Sequence, residues 1–372
     1  MRSKDKRRKV FAYISNLRSL LFRHDILLAS LLGILLISFA TFLGYSNNKV
    51  VPLNPDSHAR YVLEPNNPLK ILSNWDGPDY LNISLNGYQT RSQTNLFPGY
   101  PLSARFIHIM VPSLLDSGLI VSWLCLIGSI FFLIKIIKTR YKFKDSLSGI
   151  NAVLLFILFP TGIFLVASYS EPMLALLILA AWNYANKNKY LLSGTLIGIA
   201  TVTHITGLFG LLLVLMILYR NKISKNKLLT TFILGMIGLI SYMIFLNKKF
   251  GDALAFIYSQ QHLGWFHWSL SHYIADMGWL NVLMILLVTV SVIYWWNRDK
   301  ILSLYSLLFL LLPLVGGQFG GYNRYVLMDF ALPLMFFDKF KDNKNAYPII
   351  LAASSILWAY FLFQYTGGYV GG

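Results

Sequence analysis

A few ionisable residues stand beside prolines, glycines and aromatic residues at the predicted ends of apolar segments. They are Asp76 and Asp79, Glu171, His204 and Arg324. A carboxylate can take a proton from a hydroxyl group, and a guanidinium can hold a phosphodiester through paired hydrogen bonds. These residue types therefore predict acid–base chemistry on a substrate that contains a phosphate.

Asp76 is the first candidate for a general base. It follows the aromatic ring of Trp75 near a membrane surface, where partial desolvation raises the proton affinity of a carboxylate. An aspartate before Gly77-Pro78 is also a helix-start signal, so a helix-capping role is the alternative. Asp79 shares a helix face with Asp76 and could bind acceptor hydroxyls, hold a divalent cation with Asp76, or only favour the helix dipole as a first-turn acid.

Arg324 stands before Tyr325 at the predicted outer end of a span. Its guanidinium could bind a donor phosphate and stabilise a phosphate leaving group, with Tyr325 beside it. The alternatives are snorkelling to the interface or pairing with Asp329. Glu171 could cap a helix, bind the acceptor or orient a basic group, and His204 is either a turn histidine or a substrate-binding residue.

Long apolar runs must position these residues, because 56% of the 372 residues are hydrophobic. Runs of about 20 apolar residues match a hydrocarbon core of roughly 30 Å. The chain is predicted to be an all-α polytopic membrane protein with about eleven transmembrane helices. The predicted spans are 25–45, 116–136, 149–167, 172–186, 191–204, 207–219, 228–247, 279–296, 301–316, 325–338 and 347–363.

The positive charge of the chain follows this topology. The formal net charge is +17. Most of the 32 lysines and arginines lie in the N-terminal segment and in the predicted inner loops between the spans. An excess of basic residues on cytoplasmic loops is the usual topology signal, and it places the N-terminus in the cytoplasm. Contacts with membrane lipids explain this charge, and no nucleic-acid partner is expected.

The spans divide the chain into three parts. A basic cytoplasmic segment covers residues 1–24, a transmembrane domain covers 25–363 with long outer loops at 46–115 and 248–278, and a short outer tail covers 364–372. The second loop is rich in aromatic and histidine residues between Trp265 and Tyr273. Long loops of this kind commonly carry function. The single cysteine, Cys125, lies in an apolar run and is expected to pack.

Several short motifs, taken in order, resemble the PIG-V-like mannosyltransferases. The resemblance extends from about residue 70 to about residue 335, and each motif is short. The matching stretches are Trp75-Asp-Gly-Pro-Asp-Tyr-Leu-Asn-Ile-Ser-Leu-Asn-Gly-Tyr88, Leu96-Phe-Pro-Gly-Tyr-Pro101, Tyr169-Ser-Glu171, Phe250-Gly-Asp-Ala-Leu-Ala-Phe256 and Arg324-Tyr-Val-Leu327.

The resemblance implies a GT-C-type helical bundle with a long first extracytoplasmic loop, a polyprenyl-phosphate sugar donor and inversion at the anomeric carbon. It implies that Asp76 is the base and that Arg324 binds the donor phosphate. The expected function is transfer of a sugar, with mannose the first expectation, to a glycan, glycolipid or protein acceptor bound by Asp79, Glu171, Trp75 and His204.

Two other functions remain open, a lipid-linked saccharide transporter and a non-catalytic membrane scaffold. No internal repeat is evident, and many transporters are built from such repeats. The compact length favours a prokaryotic plasma membrane, with the endoplasmic reticulum as the alternative. The motifs identify no cofactor, apart from a divalent cation that Asp76 and Asp79 could hold.

Overall fold

The computed structural model of the chain describes residues 2–46, 67–143, 149–262, 278–316, 321–343 and 345–367, of which 2–23, 260–262 and 314–316 are described by their backbone only. These residues form helices and connecting turns, and the described part contains no strand. The helices are α1 (Arg2–Ser46), α2 (Asp76–Asn86), α3 (Gly99–His108), α4 (Leu114–Tyr141), α5 (Ile150–Ile157), α6 (Glu171–Ala185), α7 (Tyr190–Thr203), α8 (Gly207–Arg220), α9 (Lys225–Phe250), α10 (Ala255–His262), α11 (Trp279–Trp296), α12 (Lys300–Gly316), α13 (Tyr322–Tyr325), α14 (Ala331–Phe340) and α15 (Ala346–Thr366).

The described helices include five that are long and apolar enough to cross a membrane. They are His24–Ser46 of α1, α4, α9, α11 and α15. Shorter apolar helices, α6, α7, α8 and most of α12, pack among them. The prediction of an all-α polytopic membrane protein is confirmed, and nine of the eleven predicted spans coincide with these helices within a few residues.

The two remaining predicted spans are not single helices, so those predictions were wrong in detail. In the span predicted at 149–167, α5 ends at Ile157 and a short 3₁₀ turn follows at Gly162–Leu165. Pro160 lies between them, and proline cannot continue a helix because it lacks an N–H donor. In the span predicted at 325–338, Asp329 separates two helices, and its carboxylate accepts a hydrogen bond from the Ala331 amide at 3.2 Å.

Ion pairs join several helices at the end of the bundle that is predicted to face the cytoplasm. Lys138 near the end of α4 contacts Asp25 at the start of the first span, with 2.9 Å between Nζ and Oδ1. Arg140 contacts Asp299 between α11 and α12 at 2.8 Å. Ser122 of α4, 16 residues before Lys138, donates a hydrogen bond to the Tyr169 carbonyl group. At 1.5 Å per residue, the two contacts on α4 are about 24 Å apart along the helix.

The described part of the first long loop folds over the other end of the bundle, where Ser122 of α4 contacts Tyr169. Its helices α2 and α3 pack against α4, and the buried Tyr100 hydroxyl donates to the Gly118 carbonyl at 2.9 Å. The Ser168 amide donates to the Leu72 carbonyl at 2.8 Å, which joins the loop to the segment before α6. Residues 47–66 of the first loop, the part of the second loop between Trp265 and Tyr273, and the tail at 368–372 lie outside the described residues.

Glycines allow α7 and α9 to approach closely. A methyl group at Gly238 would overlap the Gly198 carbonyl oxygen and lie 2.8 Å from Thr201 Oγ1. Thr201 Oγ1 also donates a hydrogen bond to the Gly235 carbonyl at 2.8 Å, across the same interface. Small residues at helix contacts are characteristic of membrane bundles, where close packing drives association.

We therefore expect Gly238→Ala to lower the thermal stability of the purified protein, by the equivalent of about 1–3 kcal/mol, because backbone atoms cannot move aside. Gly128→Ala in α4 is the matched control, since a methyl group there would meet only the ends of the Leu176 side chain. Thermal unfolding in detergent measures both. Equal melting temperatures for the two variants would contradict the tight packing of α7 on α9.

Candidate active site

A buried arginine joins three distant parts of the chain. Arg324 in α13 contacts Asp76 at the start of α2, with 2.6 Å between Nη1 and Oδ2. Its Nε lies 2.9 Å from Oε1 of Glu171 at the start of α6. The side chains of Arg324 and Glu171 are 5% and 2% exposed, and that of Asp76 is 18% exposed. The sequence-predicted base and phosphate-binding residue therefore lie in direct contact.

The two contacts of Arg324 differ in kind. The contact with Asp76 is a charge-assisted hydrogen bond, whereas the contact with Glu171 lacks hydrogen-bond geometry. A guanidinium has five N–H donors in a rigid fork. Because a single donor is used by Asp76, the group keeps donors for an anionic ligand.

A strained turn brings Asp76 to the arginine. The Gly77 amide donates to the Asn74 carbonyl at 3.1 Å, which closes a four-residue turn. Trp75 has φ 58° and ψ −113°. These are the angles of the first central residue of a type II′ turn, a position that glycine normally occupies. A tryptophan there costs of order 1–3 kcal/mol, so the surrounding structure must hold it.

Trp75 is 41% exposed, although it adjoins the largely buried ion pair of Asp76 with Arg324. Gly77, the last residue of the turn, packs against Ser73, whose Oγ would lie 2.7 Å from a methyl group at position 77. The turn therefore directs the Asp76 carboxylate inward and leaves an aromatic surface outside. Indole faces are suited to contacts with the apolar faces of ring-shaped ligands.

Glu171 is held by the chain segment before α6. Ser170 Oγ lies 3.4 Å from Glu171 Oε2 and forms a 2.9 Å hydrogen bond with the buried Tyr80 hydroxyl of α2. The helix α6 begins at Glu171 with Pro172 in its first turn, where proline is well tolerated. Both carboxylates of the ion cluster therefore stand at helix starts.

Tyr325 and His204 complete one side of the cluster. The Arg324 guanidinium carbon lies 5.3 Å from the ring centroid of Tyr325, and the His204 ring centroid lies 5.2 Å from that of Tyr325. Nδ1 of His204 accepts a hydrogen bond from the Thr206 amide at 3.2 Å. An acceptor Nδ1 leaves the proton on Nε2, so the imidazole is neutral and can donate from Nε2.

Asp79 lies one helical turn after Asp76 and is partly buried. Its carboxyl group forms no hydrogen bond or ion pair with the residues that the structure describes. Burial, reinforced by the nearby Asp76 carboxylate, raises the pKa of Asp79 from 3.8 to about 7. Asp79 therefore changes its protonation state near neutral pH.

All seven sequence-predicted site residues lie at one end of the bundle, but some alternative roles were wrong. Arg324 does not pair with Asp329, whose carboxylate accepts from Ser306 Oγ at 3.0 Å. Asp76 is the first residue of α2 and its carboxylate turns to Arg324, so it does not cap the helix. A divalent cation at Asp76 and Asp79 stays a prediction; the described residues contain no group of three acidic, histidine or cysteine side chains arranged for a metal.

Other residues of the site were missed by the sequence reasoning. Tyr80 and Ser170 support Glu171. Asn74 begins the turn at Trp75, and Tyr169 and Tyr365 contact that turn. Tyr169 lies within a motif that the resemblance singles out, but no role was attached to it. Tyr365 carries no motif at all, and only the packing of α15 brings it to the site.

The unusual pKa of Asp79 leads to a prediction about stability. Between pH 4 and 7 the folded protein holds a proton on Asp79 that the unfolded chain has released, so stability falls as pH rises through this interval. Asp79→Asn should remove this fall and raise the melting temperature at pH 8 by a few degrees. Melting curves of both proteins at pH 5 and pH 8 are the measurement. If the difference in melting temperature between the two proteins were the same at pH 5 and pH 8, Asp79 would ionise normally.

Comparison with known proteins identifies a family whose sequence model matches most of the chain. The sequence model of the mannosyltransferase (PIG-V) family matches residues 10–308, which include Asp76, Asp79, Glu171 and His204 but not Arg324 or Tyr325.

Individual relatives match over shorter segments. GPI alpha-1,6-mannosyltransferase 2 of Cricetulus griseus is 31% identical over 149 residues, which is 37% of this chain and 29% of the relative. GPI mannosyltransferase 2 of Drosophila melanogaster is 26% identical over 227 residues, covering 54% of this chain and 50% of the relative. The matched segments thus span half or less of these relatives. Because the family model covers most of the chain, the protein belongs to the PIG-V mannosyltransferase family.

Proposed function

We propose that this protein transfers mannose from a polyprenyl-phosphate donor to an acceptor hydroxyl, with inversion at the anomeric carbon. The observation that carries the proposal is the 2.6 Å contact between Asp76 and Arg324, two residues 248 positions apart. It joins a potential proton acceptor to a potential phosphate ligand. Membership of a family described as mannosyltransferases supports mannose as the sugar.

Arg324 is the proposed ligand of the donor phosphate, with Tyr325 beside it. A polyprenyl phosphomannose is a phosphodiester with one negative charge, and a guanidinium binds such a group through two parallel hydrogen bonds. The charge on the phosphate grows as the bond to the sugar breaks. A buried arginine at this position stabilises that charge more than a solvated one would.

Asp76 is the proposed general base. The acceptor oxygen forms a bond to C1 of mannose while its proton passes to the Asp76 carboxylate. The bond between C1 and the phosphate oxygen breaks, and polyprenyl phosphate leaves with the electron pair toward Arg324. Attack opposite to the leaving group in one displacement inverts the configuration at C1.

Donor binding also changes the contacts of Asp76. The Asp76 carboxylate accepts a hydrogen bond from Arg324 Nη1 at 2.6 Å. When the donor phosphate takes the guanidinium donors, this hydrogen bond is released. The Asp76 carboxylate is then free to accept a hydrogen bond from the acceptor hydroxyl.

The acceptor is proposed to bind between Asp79, Glu171, Trp75 and His204. Asp79 and the neutral His204 offer hydrogen bonds to hydroxyl groups, and the exposed face of Trp75 suits a sugar ring. Glu171 also holds the arginine. A glycan, a glycolipid or a protein hydroxyl fits this chemistry.

The site is proposed to face away from the cytoplasm. The basic segments predicted to be cytoplasmic include Lys138 and Arg140, which lie at the opposite end of α4 from the site. The N-terminus is then cytoplasmic, and the host membrane is a prokaryotic plasma membrane or, alternatively, the endoplasmic reticulum.

Asp76→Asn should lower transfer by about 10²–10⁴-fold, because the amide cannot accept the proton. It should bind the donor at least as tightly as the wild type, because a carboxylate that competes with the phosphate for Arg324 is removed. Transfer from polyprenyl-phosphate mannose in membranes, together with donor binding to purified protein, tests both effects. Asp342→Asn, at an exposed position, is the matched control. Undiminished transfer by Asp76→Asn would exclude Asp76 as the base.

Arg324→Gln should weaken donor binding by at least tenfold and lower kcat, since the phosphate loses its ligand in both the ground state and the transition state. The loss of the buried positive charge also leaves Glu171 unpaired, so stability should fall by about 3–5 kcal/mol. Arg324→Lys keeps the charge without the fork and should fold better while binding the donor weakly. Donor affinity equal to that of the wild type in Arg324→Lys would contradict phosphate recognition by the guanidinium fork.

A further inference from the structure

Asn74, two residues before the proposed base, is bound by two tyrosines, Tyr365 of α15 and Tyr169 of the segment before α6. The Asn74 amide donates to Tyr365 Oη at 2.9 Å, and its side-chain Nδ2 donates to the Tyr365 carbonyl at 2.9 Å. The Tyr365 hydroxyl in turn lies 3.2 Å from the Asn74 carbonyl oxygen, to which it donates. Residue 365 of α15 therefore holds both the backbone and the side chain of a loop residue 291 positions away.

Tyr169 binds the same turn from its other side. Its hydroxyl donates to the Asn74 carbonyl at 2.9 Å and accepts a hydrogen bond from the Asp76 amide at 3.1 Å. One phenol thus bridges the residues on either side of Trp75. Tyr169 also lies two residues before Glu171, and its ring centroid is 5.5 Å from the Arg324 guanidinium carbon.

The two tyrosines are rigidly placed. Tyr169 is 0% exposed and Tyr365 is 1% exposed, and their ring centroids lie 6.1 Å apart with an interplanar angle of 66°. Phe164 packs against both rings, at 5.0 Å from that of Tyr169 and 5.7 Å from that of Tyr365. Because the rings are packed on all sides, the hydroxyl groups have little freedom to follow a moving loop.

These contacts surround the one residue of the turn whose backbone is strained. Without outside support, Trp75 would relax to a negative φ, and the Asp76 carboxylate would turn away from Arg324. Several hydrogen bonds to residues 74 and 76 together are comparable in strength to the backbone strain at Trp75, so they can hold the turn.

We propose that Tyr365 and Tyr169 form a hydroxyl clamp on Asn74 and Asp76 that holds the strained Trp75 turn and so positions the base. This inference rests on the proposed transferase function, within which both tyrosines are positioning residues. The clamp also gives α15, the last helix of the described residues, a part in the site, although α15 lies beyond the residues that the family model matches.

Tyr365→Phe tests the clamp because it removes the hydroxyl and keeps the ring. We expect kcat for mannosyl transfer to fall about tenfold or more, since small misplacements of a reacting group are costly, with KM for the donor changed less than about threefold. Tyr169→Phe should act in the same direction. A kcat within twofold of the wild type for both variants would overturn the proposal.

Tyr347→Phe is the matched control. It also removes a buried tyrosine hydroxyl from α15, one that donates to the Asn151 carbonyl at 2.5 Å, but at the end of the helix remote from the site. A purely structural effect would lower the melting temperature and the activity together in both variants. The clamp predicts that Tyr365→Phe loses more kcat than Tyr347→Phe does at comparable thermal stability.

The Trp75→Gly background separates positioning from general damage. Glycine adopts the backbone angles of residue 75 without strain, so the turn should need the clamp less. Trp75→Gly lowers activity by itself because the indole is lost, but in that background the further loss caused by Tyr365→Phe should shrink to about threefold or less. An undiminished further loss would overturn the role of the clamp in holding the strain.

Hydrogen exchange gives a readout that needs no activity. The amides of Asn74 and Asp76 should exchange at least tenfold faster in Tyr365→Phe and Tyr169→Phe respectively, whereas Tyr347→Phe should leave both protected. Unchanged protection would overturn the clamp. If the wild type transfers no mannose but the exchange results hold, the proposed function fails and the clamp stands; if the wild type is active and exchange and kcat are unaffected, the clamp alone fails.

Discussion

The burial of one guanidinium dominates the organisation of this protein. Arg324 is almost completely removed from solvent, and a buried charge of this kind is stable only when opposite charges and hydrogen-bonding groups surround it. Its two carboxylate partners, Asp76 and Glu171, come from the first loop and from the start of α6. The requirement to neutralise Arg324 therefore brings together three segments that are far apart along the chain.

The ion cluster has more negative than positive groups, with Asp79 nearby as a further acid. The excess of carboxylates repels a negatively charged donor unless one carboxyl group is protonated or the arginine changes partner. Both are available here, because the pKa of Asp79 is raised to about 7 and Asp76 holds Arg324 through a single hydrogen bond. The same features that make the free site stable thus make it responsive to an anion.

The strain at Trp75 links this electrostatics to the helical scaffold. A loop alone would not keep a tryptophan in a backbone conformation suited to glycine, and the cost is met by contacts with buried tyrosines on the segment before α6 and on α15. Rigid helices thereby control the direction of a carboxylate that lies in a loop. The close packing of α7 on α9 also positions the site, because α7 ends at the turn that carries His204.

We could predict the all-α membrane class, most of the spans and the candidate members of the ion cluster from the sequence alone. Apolar length, basic helix ends and the position of acids beside prolines are local properties, so they can be read without coordinates. Two spans were wrongly predicted as single helices because a proline in one and an aspartate in the other interrupt segments that are continuous in hydropathy. The partners of Arg324, the left-handed backbone at Trp75 and the contacts of Tyr365 depended on the tertiary structure. These contacts depend on the tertiary structure because a buried charge pairs with whichever opposite charges packing brings near it, and those groups can be far away in the sequence.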